Sequence, residues 1–457
     1  MILSKLNKIH FVGIGGIGMS AIAEVLFHQG FKISGSDKEL NDVTERLTEL
    51  GIEIFEGHSV SNLKDADVLV YTSAVSLDNP EVKEAVRKNI PVVKRAEMLA
   101  ETMRLKYGIG IAGTHGKTTT TSMVGLTLVE AGLDPTIIVG GRLNALGGSN
   151  ARLGNSEWIV VEADEFDRTF LKLNPVLAVL TSLEAEHLDT YKDLDDIKSS
   201  FTEYANKVPF YGFVALCIDD AQLKDISSGI NRRIIKFGLS DEAEVQAVDI
   251  VHNEFSTSYT VKYFNKEVGR IELFLPGDHN IKNSLAAVVV GTELGVDFES
   301  IKRTLKSFTG AQRRFEIKYN KEILVIDDYA HHPTEAAVTL KGIRASWNRR
   351  LVAVFQPHLY SRTRDFYKEF GRSFLNSDVF ICTDIYPARE IAIPGITGKL
   401  IADCAVEFGH KHVHYVADKN DIPAVLLDEK QEGDIIITMG AGDIYKYGEK
   451  FVSLLMN

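Results

Sequence analysis

Cysteine is scarce in this sequence. Its 457 residues contain only Cys217, Cys382 and Cys404, which lie far apart along the chain. Three separated cysteines cannot supply a disulfide framework, and none stands in the close pairs that are typical of a zinc site. The cysteine content suits a reducing compartment, and we therefore expect a cytoplasmic protein.

Long apolar runs are also missing. No stretch reaches the roughly 18 residues that a membrane-spanning helix needs. The N-terminus, MILSKLNKIHFVGIGG, lacks the apolar segment and the small-residue cleavage site of a signal peptide. We therefore expect neither a secretion signal nor a membrane partner.

Positive charge is in the minority. The chain has 51 Lys and Arg against 63 Asp and Glu, a formal net charge of −12 at pH 7, and it has no long basic run. This balance disfavours a general role on nucleic acid or on a membrane surface. Any anionic ligand must then be held locally, by backbone N–H groups and by single Lys or Arg side chains.

The chain is too long for one hydrophobic core, and its pattern predicts an α/β protein. Alternation of strands and helices begins three times, at KIHFVG, at YGIGIAG and at EILVIDD. We predict a Rossmann-like N-terminal domain, a central P-loop ATPase-type domain and a Rossmann-like C-terminal domain. The central sheet is expected to be mostly parallel, with a small antiparallel sheet formed by 231–275. The predicted domain bounds are 1–105, 106–311 and 312–457.

The segment GTHGKTTTT, which begins at Gly113, stands between a predicted strand and a predicted helix. Backbone N–H groups at a helix N-terminus attract phosphate. Gly113 and Gly116 let the backbone curl around the anion, Lys117 supplies a positive charge, and the Thr118 hydroxyl can hold Mg²⁺. Ile111 stands where the strict phosphate-loop pattern has its first glycine, so a plain Gly/Thr-rich turn is the alternative. The coincidence of strand, Gly-Lys-Thr and helix favours a nucleoside triphosphate site.

The apolar strand WIVV ends in Glu162, with Asp164 and Glu165 close behind. A P-loop protein places the acid that helps to hold magnesium at this point. A solvated acidic loop would have the same composition. The phosphate loop upstream favours the metal interpretation.

A second glycine turn lies near the N-terminus. Gly13, Gly15 and Gly18 fit the dinucleotide fingerprint, and Asp37 ends the next predicted strand. Such a turn indicates a pyrophosphate at a helix N-terminus, which both NAD(P) and UDP-linked sugars carry. The turn alone favours NAD(P), whereas the phosphate loop downstream favours a UDP-sugar, because few NAD enzymes also need ATP.

Several separated motifs resemble those of the Mur ligases of peptidoglycan precursor synthesis, over nearly the whole chain. They are GTHGKTTT, EADE, HLDTY, GDHN-x-x-N, RRF and DDYAHHPTE, in this order. The resemblance implies an ATP- and Mg²⁺-dependent ligase that joins L-alanine to the lactyl carboxylate of UDP-N-acetylmuramate through an acyl phosphate. It implies a cytoplasmic monomer or homodimer with these small-molecule substrates and no nucleic-acid partner.

The resemblance also assigns residues to sites. Implied ATP-binding residues are Gly113, Thr114, His115, Gly116, Lys117, Thr118, Thr119, Asn280, Asn283, Arg314 and Asp328. Implied UDP-sugar-binding residues are Gly15, Gly16, Ile17, Gly18, Met19, Ser20 and Asp37. Implied metal ligands are Thr118, Glu162 and His187. Implied amino-acid-binding residues are His331, His332, Arg362 and Arg364. The implied catalytic residues are Lys117, His187, Arg314 and His332.

Each of these residues also has a purely structural interpretation. His187 could be a surface histidine, Asn280 a helix cap, and His332 the start of a helix. Three alternative functions remain open. They are a tripeptide-recycling ligase of the same family, an NAD(P)-dependent oxidoreductase, and a nucleotide-dependent switch that hydrolyses ATP whatever amino acid is present.

Overall fold

The structure, a computed structural model, describes residues 6–72, 74–146, 148–185, 190–310, 312–388 and 390–456. The chain divides into two compact units. The first comprises Met1–Asp249, Tyr259–Ile271 and Lys282–Phe308. The second comprises Ile250–Ser258, Glu272–Ile281 and Thr309–Asn457. The first unit thus contains the N-terminal sheet and most of the central one.

The N-terminal part of the first unit is a five-stranded parallel sheet in the order β3-β2-β1-β4-β5. Its strands are β1 Lys8–Val12, β2 Lys32–Asp37, β3 Glu53–Glu56, β4 Val68–Tyr71 and β5 Val92–Lys94. Its helices are α1 Ile17–His28, α2 Asp42–Glu49, α3 Pro80–Arg87 and α4 Arg95–Met103. This arrangement confirms the predicted Rossmann-like fold.

The glycine turn follows the end of β1 and is held there by hydrogen bonds to β2. The amides of Gly13 and Ile14 both donate to the carbonyl of Ser36 in β2, at 2.8 and 3.1 Å. Gly13 has φ 82°, a conformation that favours glycine. The chain therefore turns sharply at the carboxyl edge of the sheet, and α1 begins there.

A second sheet has ten strands in the order β15-β14-β13-β12-β11-β10-β6-β9-β7-β8. Its strands are β6 Tyr107–Ala112, β7 Thr136–Leu143, β8 Ser149–Arg152, β9 Trp158–Glu162, β10 Leu177–Leu180, β11 Phe213–Cys217, β12 Ile234–Gly238, β13 Val245–His252, β14 Thr257–Tyr263 and β15 Lys266–Leu273. The helices of this region are α5 Lys117–Glu130, α6 Leu194–Asn206, α7 Ala221–Ile226, α8 Asp278–Glu293 and α9 Phe298–Ser307.

The segment predicted to form a small antiparallel sheet differs in two ways from that expectation. Its strands extend the ten-stranded sheet, and β12 runs parallel to both β11 and β13. Antiparallel pairing fits only the last part of the segment 231–275, which contains β14 and β15. The two residues Phe264 and Asn265 connect these strands. Both have positive φ, 45° and 63°, as a two-residue hairpin turn of type I′ requires.

The third sheet lies in the second unit, in the order β16-β17-β21-β18-β19-β20. Its strands are β16 Glu316–Asn320, β17 Leu324–Asp328, β18 Leu351–Phe355, β19 Val379–Thr383, β20 Val413–Val416 and β21 Ile435–Met439. Its helices are α10 Pro333–Ser346, α11 Tyr360–Ser373, α12 Lys399–Glu407, α13 Ile422–Glu429 and α14 Ile444–Met456. Only β16 pairs antiparallel. The central strands are fully buried, as expected for a parallel sheet covered on both faces.

No helix among the residues described above is long and apolar enough to cross a membrane.

Candidate active site

The phosphate loop follows β6 and leads into α5, as the sequence predicts. Gly113 has φ 151° and Gly116 has φ 81°, and both conformations favour glycine. A Cβ on Gly113 would collide with Thr181, and one on Gly116 would lie 2.6 Å from Asn283 Oδ1. Both glycines are therefore needed for the backbone to take this path.

The start of α5 presents backbone N–H groups to a ligand. The first helical hydrogen bond is Thr120 N to Gly116 O, at 2.9 Å. Among the described residues, none accepts a hydrogen bond from the amides of 116–119. His115 N is used differently, because it donates to Ser182 Oγ at 2.8 Å and so anchors the loop. The amides of 116–119 form an anion site reinforced by the helix dipole.

Lys117 lies with its ammonium group inside this loop. Its Nζ donates to Gly113 O at 2.5 Å, to Thr114 O at 3.1 Å and to Glu165 Oε1 at 2.9 Å. Burial disfavours the charged form, but the carboxylates of Glu165, Asp164 and Glu162 outweigh it and raise the pKa of Lys117. The loop therefore contains a permanently charged ammonium beside the amides at the start of α5.

Thr118 and Glu162 place two oxygen donors side by side. Thr118 Oγ1 donates to Glu162 Oε2 at 3.0 Å, and Gly140 N donates to the same oxygen at 2.8 Å. Two ligands of an octahedral Mg²⁺ are about 2.9 Å apart, since each lies 2.0–2.1 Å from the ion. The donor chemistry and the spacing therefore fit Mg²⁺. His187, the third predicted ligand, lies outside the described residues.

A cleft of about 320 Å³ in the first unit extends from the predicted pyrophosphate site to the predicted magnesium ligand Glu162. One side of it is the start of α1, at Gly16–Met19, and the other carries Gly140, Glu162 and Asp164. The sequence places these segments more than a hundred residues apart. The structure brings them to one cavity.

The glycine turn offers fewer amides than the sequence predicts. Gly15 N donates to Asp37 Oδ2 at 2.8 Å, and Met19 N and Ser20 N donate to Gly16 O at 3.0 and 2.9 Å. In the part of the chain that the structure describes, the amides of Ile17 and Gly18 have no acceptor. These two amides are therefore available to the predicted pyrophosphate, and the contact of Asp37 with Gly15 holds the turn in shape.

Arg95, the first residue of α4, is a cleft residue that the sequence analysis missed. Its Nη2 lies 3.2 Å from Asp164 Oδ2, and a Cβ on Gly18 would lie 2.7 Å from its Nη1. A guanidinium thus stands beside the start of α1. The sequence contains no signal for this, because an isolated Arg after a short strand belongs to no motif.

The two predicted asparagines differ in their contacts. Asn283 is buried in the first unit, and its Oδ1 accepts a hydrogen bond from Thr120 Oγ1 at 3.1 Å, so it lies beside α5. Asn280 belongs to the second unit and donates from Nδ2 to Pro276 O at 2.8 Å. Asn283 therefore supports the phosphate loop directly, whereas Asn280 holds the segment that precedes α8.

In the second unit, several charged groups lie close together where β17 ends and α10 begins. Asp328 accepts from the amides of Phe315 and Ala330, both at 2.8 Å. Burial raises the pKa of its carboxyl group to about 6, against the opposing charge of Arg314. Arg314 Nη1 lies 3.3 Å from Glu335 Oε1. The predicted nucleotide residues of this region are therefore close together.

The predicted amino-acid-binding residues differ in their burial and in the groups that they contact. His331 Nδ1 lies 3.1 Å from Glu335 Oε2, next to the Asp328 cluster. His332 is buried and caps α10, because its Nδ1 accepts from Thr334 N at 3.4 Å. Arg364 is exposed and bonded to Asp365 at 2.7 and 3.0 Å, two residues after the half-buried Arg362. The structural role considered for His332, the start of a helix, is thus present.

Three family models match the chain in sequence order. They are the Mur ligase family catalytic domain over residues 8–107, the Mur ligase middle domain over 111–291, and the Mur ligase glutamate ligase domain over 313–442. A UDP-N-acetylmuramate–L-alanine ligase from Geotalea uraniireducens is 51% identical over 99% of this chain and 98% of its own length. The chain belongs to the Mur ligase family. The predicted family and the predicted three-domain α/β fold are thereby confirmed.

Other relatives agree with this membership. A UDP-N-acetylmuramate–L-alanine ligase from Salinibacter ruber is 51% identical over the whole of this chain and 96% of its own length. The crystal structure of a UDP-N-acetylmuramate-alanine ligase from Thermotoga maritima superposes with a TM-score of 0.84 at 30% identity, covering 98% of this chain and 99% of that one. A murein peptide ligase from Psychrobacter arcticus has the same fold, with a TM-score of 0.73 at 24% identity over 99% of each chain.

Proposed function

We propose that this Mur ligase uses ATP to join L-alanine to the lactyl carboxylate of UDP-N-acetylmuramate, a step of peptidoglycan precursor synthesis. Two whole-length relatives at 51% identity carry the name of this activity. The structural observation that carries the proposal is the cleft of the first unit, which opens onto both the start of α1 and Glu162. A bound sugar nucleotide can reach the phosphate-transfer apparatus through this cleft.

The sugar nucleotide is held at the start of α1. The amides of Ile17 and Gly18 donate to its pyrophosphate, and the guanidinium of Arg95 lies beside them. The substrate also carries a carboxylate, which Glu162 and Asp164 repel. A cation near Glu162 is therefore required before that carboxylate can approach.

ATP is held by the loop that precedes α5. The amides of 116–119 and the ammonium of Lys117 stabilise the charge that spreads over the transferring phosphoryl oxygens. Thr118 and Glu162 would hold Mg²⁺, which when bound neutralises phosphate charge. Asn283 supports the loop from α8.

The reaction consists of two transfers. The substrate carboxylate attacks the γ-phosphorus and displaces ADP, and the product is an acyl phosphate. The neutral amine of L-alanine then attacks the acyl carbon and passes through a tetrahedral intermediate. Inorganic phosphate leaves, and the amide remains after the nitrogen loses a proton.

We further propose roles for residues of the second unit and bounds for three domains. Arg314, Asp328 and Asn280 take part in nucleotide binding, whereas His331, His332, Arg362 and Arg364 serve L-alanine. We propose the domain bounds 1–105, 106–311 and 312–457, and the order of the three matched family models, over 8–107, 111–291 and 313–442, supports them. We propose a cytoplasmic enzyme that is a monomer or a homodimer.

The test measures phosphate release from ATP and Mg²⁺ in the presence of UDP-N-acetylmuramate. L-alanine, L-serine, glycine and a murein tripeptide are added one at a time. We expect release that needs both the sugar nucleotide and L-alanine. Faster release with the tripeptide would instead indicate the recycling ligase, and release that ignores every amino acid would indicate a nucleotide-dependent switch.

A further inference from the structure

Two histidines and one glutamate meet at the edge of the sheet in the second unit. His414 lies in the edge strand β20, and His412 immediately precedes that strand. Because side chains two positions apart lie on the same face of a strand, both imidazoles point the same way. Glu429 ends α13 and reaches both rings.

The three donor atoms form a nearly equilateral triangle. His414 Nε2 lies 3.1 Å from His412 Nε2 and 3.1 Å from Glu429 Oε2, and His412 Nε2 lies 3.3 Å from the same oxygen. Ligands of a tetrahedral Zn²⁺ at 2.0–2.1 Å from the ion are about 3.3 Å apart. The triangle therefore has the dimensions of one face of a zinc coordination shell.

The carboxylate is oriented by a second layer of contacts. Arg350 Nη2 bonds to the other oxygen of Glu429, and Arg350 Nη1 lies 2.8 Å from Asp434 Oδ2. Asp434 is buried and balances the charge of Arg350, so Glu429 leaves one net negative charge for a cation. Such support of a metal ligand by outer groups is the usual arrangement in protein metal sites.

The cluster is separate from the candidate active site. Arg350 and Asp434 stand immediately before β18 and β21, as His412 does before β20, so the cluster lies at the starting edge of these parallel strands. Asp328 ends β17, at the opposite edge, where open α/β sheets bind their ligands. An ion at His412 is therefore not part of the nucleotide site.

We propose that His412, His414 and Glu429 form a Zn²⁺ site, with water as the fourth ligand, that fastens β20 to α13. Imidazole nitrogens favour zinc over magnesium, so the site is distinct in chemistry from the oxygen pair at Thr118 and Glu162. An edge strand gains most from such a link, because only one neighbouring strand holds it. Zinc binding stabilises the second unit by mass action.

The test uses untagged full-length protein, freed of metal with a chelator and kept in excess Mg²⁺ to fill the oxygen site. Co²⁺ is added as a spectroscopic probe and then displaced with Zn²⁺. The variant is the double substitution His412→Gln and His414→Gln. His28→Gln is the matched control, because His28 is exposed at the end of α1 and far along the chain from this cluster.

We expect the parent and the His28→Gln variant to show the strong visible absorption of tetrahedral Co²⁺, and one equivalent of Zn²⁺ to abolish it and raise the melting temperature. The double variant should lose both effects. If it does not fold, as its far-ultraviolet circular dichroism would reveal, His414→Gln alone should weaken Zn²⁺ binding by about tenfold or more. Identical Co²⁺ spectra in parent and variant, or no tetrahedral band in the parent, would overturn the proposal and leave only hydrogen bonds between the histidines and Glu429.

Discussion

The turn after β1 and the loop after β6 each follow a strand that pairs in parallel with both neighbours, yet the side chains around them differ. In the turn, Asp37 accepts the hydrogen bond of the Gly15 amide, and the cation beside the start of α1, Arg95, comes from another helix. In the loop, the cation is Lys117 itself, and Thr118 and Glu162 add a pair of oxygen donors whose spacing fits Mg²⁺.

This difference corresponds to the difference between binding a phosphate and transferring a phosphoryl group. A pyrophosphate that is only bound needs a few donors and one positive charge beside them. Transfer of a phosphoryl group needs positive charge at the positions where negative charge develops in the transition state. The groups that carry this positive charge must be held rigidly before the reaction begins. Under the proposed function, the same strand–turn–helix arrangement binds a pyrophosphate in one sheet and transfers a phosphoryl group in the other, and the surrounding residues make the difference.

The largest expected effect is that of Lys117→Ala. Removing the ammonium should lower kcat on the order of 10²–10³-fold, because the transferring oxygens lose their nearest positive charge. Binding of UDP-N-acetylmuramate should be almost unchanged. Phosphate release and calorimetry measure the two properties, with Lys38→Ala at an exposed position as the control. Equal losses in turnover and in sugar-nucleotide affinity would contradict the division between loop and turn.

Arg95→Ala should give the opposite pattern. Hydrogen bonds from a charged donor are worth roughly 1.5–3 kcal/mol, so the affinity for UDP-N-acetylmuramate should fall about 10- to 100-fold. ATP affinity should stay near that of the parent. Isothermal titration with each nucleotide separates these outcomes.

Arg95 also contacts Asp164, and Asp164→Asn serves as the matched variant. That variant loses the ion pair but keeps the guanidinium, so it should retain most of the sugar-nucleotide affinity. A loss as large as that of Arg95→Ala would mean that Arg95 acts only through its ion pair.

The two glycines that precede α1 and α5 should differ in their tolerance of alanine. Gly116 has φ 81°, which costs an L-residue about 1–2 kcal/mol, and a Cβ there meets Asn283 Oδ1 at 2.6 Å. Gly16 has φ −71°, and its Cβ would meet only Gly13 O at 3.5 Å. Gly116→Ala should reduce kcat/KM for ATP by about tenfold, whereas Gly16→Ala should leave that constant and the melting temperature unchanged. Similar losses in both variants would show that the backbone paths are not what distinguishes them.

Local patterns were enough to predict both loops, the strand–helix alternation and the position of Glu162. Each depends on a few adjacent residues, such as the Gly-Lys-Thr that opens α5. Arg95 and the bond from Gly15 to Asp37 could not be predicted, because they depend on how α4 and β2 are placed by tertiary packing. The same holds for the direction of β12, whose alternating residues suit either kind of pairing.

The smallest expected effect is a dependence of magnesium binding on pH. Burial raises the pKa of Glu162 above the ordinary 4.5, although Lys117 opposes the shift. Since the ion must displace this proton, the Mg²⁺ concentration for half-maximal phosphate release should begin to rise on acidification while the pH is still above 4.5. The folded state also binds this proton more tightly than the unfolded state, so this group makes the free energy of unfolding fall as pH rises through that window.

Glu162→Gln should remove both dependences, at the cost of weaker magnesium binding at every pH, while the exposed Glu157→Gln should keep them. Sugar-nucleotide affinity measured without metal provides the internal comparison, because the proposed contacts of the turn after β1 are amides and Arg95, without a metal. A pH dependence of the same size in magnesium binding and in sugar-nucleotide affinity would mean that one titrating group affects both sites. The two turns would then not differ in their response to pH.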